Sequence, residues 1–336
     1  MGAQFSQFFP PKPTFTEKDL PSTKDKVFLI TGGTSGIGSE LAKILYRHGG
    51  SKVYITGRTE EKARAAVQEI KAAVPNPNHQ GQGNGKLDYI VLELSDLTSI
   101  KASAEQFMAK ESRLDVLFNN AGVSQPPVGS VSRQEYELQI AVNLLGPFLF
   151  THLLLPLLEA TASTSSSSSC PPRVIWTSSQ VSELSSPAEG IILNELKNPP
   201  RDPVRNYLNS KTGNMFLSAE FARRYGASQS ASSGIISVAL NPGAANSNLF
   251  RTAKIMKLLA YPLLYSPARA AHTALYAGLS GDILKENNGC YVIPFGRIHG
   301  DLPERLVIAM RGVEEGGTGR AREVWEFCEE VVKDYL

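Results

Sequence analysis

Cysteine is nearly missing from this chain: Cys170, Cys290 and Cys328 are the only three in 336 residues, far apart and without Cys-x-x-Cys spacing. That excludes a disulfide framework and a thiolate zinc site, and it fits a reducing compartment. Histidine is almost as sparse. His48, His79, His152, His272 and His299 are scattered, and none belongs to a His-Glu-x-x-His pattern, so no metal is expected. Long basic runs are absent, and 34 Lys+Arg against 32 Asp+Glu leave a formal charge of only +2, which argues against a nucleic-acid partner. No apolar stretch reaches the ~18 to 20 residues that cross a bilayer, and the N-terminus lacks a basic region followed by an apolar one. A cytoplasmic protein is expected. Met1-Gly2-Ala3-Gln4-Phe5-Ser6, ahead of Phe8-Phe9, fits the short pattern for myristoylation at Gly2 and leaves weak peripheral membrane association open.

What is present is an ordinary globular composition, 42% hydrophobic and 20% charged, in a chain long enough for a well-filled core. After a Pro-rich arm over residues 1–22, Val27-Phe28-Leu29-Ile30 is a continuous apolar run that ends in a glycine turn, as a buried parallel strand does. Similar runs recur at Lys52 to Thr56, Tyr89 to Glu93, Asp115 to Phe118, Arg173 to Thr177 and Ile235 to Leu240, separated by helical segments. This alternation predicts an α/β fold, a doubly wound parallel sheet with helices on both faces. Pro75 to Lys86 (75–86) and Thr161 to Pro172 (161–172) interrupt the rhythm and read as mobile surface loops inserted in one domain, 23–336.

The turn after the first strand reads Thr31-Gly32-Gly33-Thr34-Ser35-Gly36-Ile37-Gly38. Gly32 permits the tight exit from the strand, Gly36 lets backbone approach a pyrophosphate, and Gly38 allows helix to pack closely on sheet. A helix opening at Gly36 points free N–H groups and its positive dipole end at the phosphates, so Thr34, Ser35 and Ile37 are candidate contacts as well. The second strand ends at Gly57-Arg58. A carboxylate there would bind a ribose 2′-hydroxyl, whereas Arg58 suits a 2′-phosphate and so favours NADP(H) over NAD; the alternative is a solvated loop charge.

Tyr207 and Lys211, in Tyr207-Leu208-Asn209-Ser210-Lys211, lie four apart and share a helix face. A cation beside a phenol favours its phenolate and brings proton exchange nearer neutral pH. A surface Tyr/Lys pair is the alternative. The remaining motifs are Asn119-Asn120-Ala121-Gly122 after the fourth strand, Val142-Asn143, Thr177-Ser178-Ser179 after the fifth strand, and Asn241-Pro242-Gly243 after the sixth.

With the glycine turn and the Tyr/Lys pair, these motifs resemble the short-chain dehydrogenase/reductase family from about Lys26 to Pro294. The resemblance implies a Rossmann fold of seven strands in order 3-2-1-4-5-6-7, with Tyr207 and Lys211 on the helix after the fifth strand. It also implies catalytic roles. Ser179 would hydrogen-bond the substrate oxygen, Tyr207 would move its proton, Lys211 would tune Tyr207 and hold the nicotinamide ribose, and Asn143 would position a water. Ser178 competes with Ser179, and the family pattern favours Ser179. Asn119, Asn120, Ala121, Gly122, Pro242 and Gly243 would border the cofactor. Ser247 stands where the family usually has a Thr that touches the carboxamide, and Glu93-Leu94 stands where it often has Asp near the adenine.

The interval from Ser179 to Tyr207 is longer than in simple members. With Glu220-Phe221-Ala222-Arg223-Arg224-Tyr225, it resembles retinol-dehydrogenase-like reductases of fungi, many acting on hydrophobic aldehydes, ketones or intermediates of specialised metabolism. A substrate loop is expected at about 180–206 and a lid at about 244–266. The stretch from Asn248 to Tyr265 is rich in Leu, Ile and Phe, which suits an apolar substrate or packing against the domain. The leading expectation is an NADPH-dependent oxidoreductase interconverting a carbonyl and an alcohol on a hydrophobic small molecule. The alternatives are a pathway-specific imine or enone reductase or cyclase, and a non-catalytic nucleotide-binding scaffold. Family members often form homodimers through the helices carrying Asn143 and Tyr207. The C-terminus, with Trp325 and Phe327 among Glu326, Glu329 and Glu330, reads as an amphipathic helix that covers the domain.

Overall fold

The computed structural model describes residues 2–74, 85–164, 171–226, 234–246 and 264–336. In chain order its principal elements are α1 (Gly2–Phe8), β1 (Val27–Ile30), α2 (Gly36–His48), β2 (Lys52–Gly57), α3 (Glu60–Ala73), β3 (Lys86–Val91), α4 (Leu97–Met108) and β4 (Val116–Asn119). Then come α5 (Leu138–Leu153), α6 (Leu155–Thr164), β5 (Arg173–Thr177), α7 (Val181–Ser185), α8 (Leu193–Lys197), α9 (Pro203–Tyr225) and β6 (Ile236–Leu240). The last are α10 (Pro267–Leu279), β7 (Tyr291–Ile293), β8 (Arg297–Ile298), α11 (Glu304–Met310) and α12 (Arg320–Val332).

The sheet runs β3-β2-β1-β4-β5-β6-β7-β8 and is parallel through β7. The expected order holds, and a two-residue eighth strand joins it antiparallel, pairing Val292 with Ile298. Side chains of the central strands alternate between two cores, as the period of a strand requires. Val27, Leu29, Leu117, Val174 and Trp176 enter one core, beneath α4, α5, α9 and α12. Phe28, Ile30, Val116, Phe118 and Ile175 enter the other, beneath α2, α3 and α10. Both faces are buried, so the strands read as continuous apolar runs.

The third strand departs from that reading. It begins at Lys86 and ends at Val91, not at Tyr89 and Glu93, because β3 is the sheet edge and carries Lys86 and Asp88 among its apolar residues. Lys86 therefore pairs with Lys52 instead of closing an insertion. Residues 161–164 of the other insertion complete α6, and the rest of both stretches lies largely outside the described residues.

Residues 1–22 are also more than a free arm. Arg297 donates to Ser6 Oγ at 3.1 Å and to Ser6 O at 3.0 Å, the Tyr265 hydroxyl donates to Phe8 O at 2.6 Å, and Gln7 is buried. At the other end, Trp325 of α12 meets Phe148 of α5 edge-on at 4.9 Å between ring centroids, and Arg224 of α9 lies over its ring at 4.8 Å. The final helix thus covers the flank shared by α5 and α9.

Candidate active site

The start of α9 sets the position of the Tyr/Lys pair. Asp202 accepts hydrogen bonds from the Val204 and Arg205 amides at 2.9 and 3.2 Å, and Pro203 opens the first turn, so the helix begins at a defined residue. Tyr207 follows in the second turn and Lys211 one turn later. The Lys211 ammonium sits 5.9 Å from the Tyr207 ring centroid and donates to Thr177 O at 2.9 Å, a carbonyl that also accepts from Asn214 Nδ2 at 3.0 Å. Ser179 stands just past β5, with its side chain near enough to Tyr207 to favour the phenolate.

Asn143 lies in a π-helical turn, Ala141–Leu145, within α5, the kind of local widening that recurs at functional sites. Its Nδ2 donates to Val123 O at 2.9 Å and to Ser210 Oγ at 3.0 Å, while its Oδ1 accepts from Val123 N at 2.8 Å. The side chain therefore ties the loop after β4 to α9. Asn143, Ser179, Tyr207 and Lys211 thus meet at the C-terminal ends of β4 and β5, the edge where open α/β sheets bind ligands.

Burial dominates the electrostatics. It raises the Tyr207 phenol to about 12 although the neighbouring Ser179 side chain pulls the other way, and it lowers the Lys211 ammonium to about 8. The sequence suggests that Lys211 draws Tyr207 toward its phenolate. In the structure desolvation governs the phenol and raises it, so Tyr207 holds its proton at neutral pH.

The glycine turn lies where the sequence places it. Gly32 has φ +66°, and a Cβ there would come within 2.9 Å of Ala121 Cα. Thr31 Oγ1 accepts from the Asn120 and Ala121 amides, both at 3.0 Å, and Asn120 Nδ2 donates to Thr31 O at 2.9 Å. These bonds dock Asn119-Asn120-Ala121-Gly122 on the turn, which makes Thr31 a structural partner that attention to the glycines overlooks. A dinucleotide fits this ground. Ser35 caps α2 without a side-chain hydrogen bond, leaving the first amides of the helix for phosphate, and Gly38 packs so tightly that a Cβ would lie 2.6 Å from Gly32 O. A Cβ on Gly122 would stand 3.2 Å from Asn143 Oδ1 and 3.3 Å from Lys211 Nζ, so only glycine keeps that approach open.

Thr34 and Ile37 flank the same turn, and Arg58 is exposed at the end of β2 with no ion pair among the described residues. Glu93 and Leu94 lie in the loop beyond β3. The Glu93 carboxylate caps Ser95, at 3.0 Å from its amide and 2.8 Å from its hydroxyl, and the Leu94 side chain is buried in the core, so Leu94 can offer a ligand only its backbone. Asn241 Oδ1 accepts from Gly243 N at 2.9 Å, which fixes the turn through Pro242 and Gly243 at φ +85°. Ser247 and nearly all of the expected lid lie outside the described residues. Ala245 pairs with Tyr265 across the ends of that stretch. Among the described residues no cluster of His, Cys, Asp or Glu could hold a metal ion.

Comparisons with known proteins agree with this geometry. Residues 26–190 match the family model for short chain dehydrogenases. The chain is 40% identical to the short-chain dehydrogenase/reductase iacJ of Pestalotiopsis fici, over 99% of this chain and 98% of that one. It is 41% identical to a short-chain dehydrogenase/reductase of Phomopsis amygdali, over 99% and 97%. Among solved structures, the RhlG/NADP active-site complex of Pseudomonas aeruginosa shares the fold, with a TM-score of 0.61 and 23% identity over 81% of this chain and 95% of that one. A 3-ketoacyl-(acyl-carrier-protein) reductase of Brucella melitensis complexed with NADH does likewise, with a TM-score of 0.58 and 23% identity over 80% and 96%. The chain belongs to the short-chain dehydrogenase/reductase family, whose members are oxidoreductases that bind NAD or NADP and act on small molecules.

Sequence reasoning missed a second group of residues. Gln7, Glu183, Tyr291 and His299 form a buried polar cluster beside Ser178 and Ser179. No signal marks it in the chain, because its members are separated by as many as 292 positions and follow no periodicity.

Proposed function

We propose that this protein is an NADPH-dependent carbonyl reductase of a hydrophobic small molecule, and that Tyr207 is its proton donor. The observation that carries this reading is a Tyr207 phenol that desolvation keeps protonated, with the Lys211 ammonium 5.9 Å from its ring and Ser179 close enough to influence it. A bound NADPH would supply the hydride to the carbonyl carbon. Ser179 holds the substrate oxygen, and Tyr207 releases its proton to that oxygen as negative charge develops there. Lys211, while charged, stabilises the phenolate left behind and holds the nicotinamide ribose. Arg58, exposed and without an ion pair among the described residues, is the group for a 2′-phosphate.

A phenol protonated at neutral pH supports reduction as the working direction, and the fungal relatives support a substrate from specialised metabolism. A homodimer would use a surface other than the flank of α5 and α9 that Trp325 covers. We place the protein in the cytoplasm; exposed Phe5 and Phe9 at the N-terminus are the basis for any weak membrane contact.

The test is NADPH oxidation by wild-type and Tyr207→Phe protein against apolar aldehydes and ketones. Loss of at least about a hundredfold in kcat with NADPH affinity retained supports the reading. Equal rates in the two proteins remove Tyr207 from the chemistry. NADPH binding with no turnover of any carbonyl favours a scaffold, or an imine or enone substrate.

A further inference from the structure

Beyond β5, the segment that carries Ser179 makes a backbone bond to the sheet from Ser178 N to Leu240 O at 2.7 Å and then leaves the strand ladder. What holds it next is a buried polar chain. Tyr291 of β7 donates its hydroxyl to Ser179 O at 3.3 Å; burial and the neighbouring Glu183 charge hold that hydroxyl in its protonated, donating form. The Glu183 carboxylate, two residues into α7, receives Gln7 Nε2 at 3.0 and 2.9 Å and pairs with His299 Nε2 at 2.9 Å. The other end of the Gln7 amide, Oε1, accepts from Asn241 Nδ2 at 2.8 Å, on the loop after β6. Arg305 donates to Glu183 O and, at 3.2 Å, to Ser186 O.

Gln7 is 2% exposed, Glu183 1%, Tyr291 2% and Asn241 2%. A carboxylate this deeply buried is tolerated only when its oxygens are paired and hydrogen-bonded, and Gln7 supplies the donors that His299 alone leaves unmade. An amide suits the place uniquely, with a donor for the carboxylate at one atom and an acceptor for Asn241 at the other. Helix α1 is therefore plugged into the loops after β5 and β6 together.

We propose that Gln7 is a positioning residue for the catalytic site: through Glu183, and with Tyr291, the N-terminal helix fixes the backbone at Ser179 and hence the hydroxyl that meets Tyr207. This rests on the reading that Ser179 and Tyr207 engage the substrate oxygen. It makes Gln7, the buried side chain of that helix, a support of the site, although it lies outside the stretch matched by the family model.

The experiment compares wild-type, Gln7→Ala, Tyr291→Phe and, as an outside control, Phe9→Ser protein. Amide hydrogen exchange is followed at Ser182, Glu183 and Leu184, whose N–H groups bond to Ser179 O and Gln180 O. Steady-state NADPH oxidation and NADPH affinity are measured alongside. Expected for Gln7→Ala and Tyr291→Phe is exchange faster by about tenfold at those amides. kcat should fall by about tenfold while NADPH affinity changes less than about twofold, since a small displacement of a reacting group is enough for such a loss. Phe9→Ser should match wild type.

Unchanged exchange and unchanged kcat in Gln7→Ala overturn the proposal. Faster exchange with kcat unchanged also overturns it, leaving Gln7 a structural tie. Should Gln7→Ala fail to fold, Tyr291→Phe decides alone, because it removes one hydroxyl and keeps the ring. Should wild-type protein turn over no carbonyl, the reductase reading falls, and exchange alone decides whether Gln7 holds the Ser179 segment.

Discussion

The Ser178 hydroxyl donates to the main-chain carbonyl of Lys211 at 2.8 Å. That bond gives Ser178 a structural role and supports Ser179 as the proposed catalytic member of the two adjacent serines that sequence leaves as competitors. Ser178 is 2% exposed and spends its proton clasping α9 to the end of β5, while the Ser179 side chain lies near Tyr207 with no such tie to α9 among the described residues.

Substituting each serine should therefore give opposite phenotypes. Ser179→Ala is expected to lower kcat by about 10²- to 10³-fold with little change in unfolding midpoint, as removal of one oxyanion-type donor does. Ser178→Ala is expected to cost about 1 kcal/mol of stability in a denaturant titration and to leave kcat within about threefold. If Ser178→Ala is the inactive variant, the assignment is reversed.

Arg58 should decide between cofactors. Its guanidinium is exposed with no ion pair among the described residues. A charge-assisted bond to a 2′-phosphate contributes about 1.5 to 3 kcal/mol, equivalent to roughly 10- to 150-fold in affinity. Arg58→Ala is thus expected to lower kcat/KM for NADPH by about that factor and to leave the value for NADH within about threefold. A ratio of the two that does not move would make Arg58 a solvated loop charge.

The sheet is readable because both of its faces are buried: β1 is apolar throughout, β4 and β5 are apolar but for residues at their ends, and the expected bounds agree to within a residue. Edge strand β3 was misplaced by three residues at its start, since Lys86 and Asp88 break the run there. Of the site, the short-range patterns were legible: the glycine turn, and Tyr207 with Lys211 on one helix face. What was not legible depends on contacts between distant segments. The docking of Gln7 on Glu183 spans 176 positions, and that of Arg297 on Ser6 spans 291. Nor does spacing tell how far a phenol is desolvated, and it is desolvation that raises Tyr207 here.

That desolvation yields a pH signature with two opposing parts. Burial lowers Lys211 from its usual 10.5 to about 8 and raises Tyr207 to about 12, so across the range between them the phenol keeps its proton while the lysine loses its charge. If reduction needs both the phenolic proton and the cation, kcat should be flat from about pH 6 to about pH 8 and then decline, approaching tenfold per pH unit. Stability moves the other way. Lys211 has a folded value below its unfolded one, so the unfolded chain binds more protons between about 8 and 10.5. Its destabilising contribution is fully present below about pH 8 and is relieved as pH rises through that window. Rate loss above pH 8 should therefore occur without any loss of folded protein traceable to this group, which denaturant midpoints at matched pH would check. Lys211→Met should be slow at every pH and should lack both the inflection and the rise in stability. A wild-type rate that stays level to about pH 9.5 would remove the Lys211 charge from the proton-transfer step.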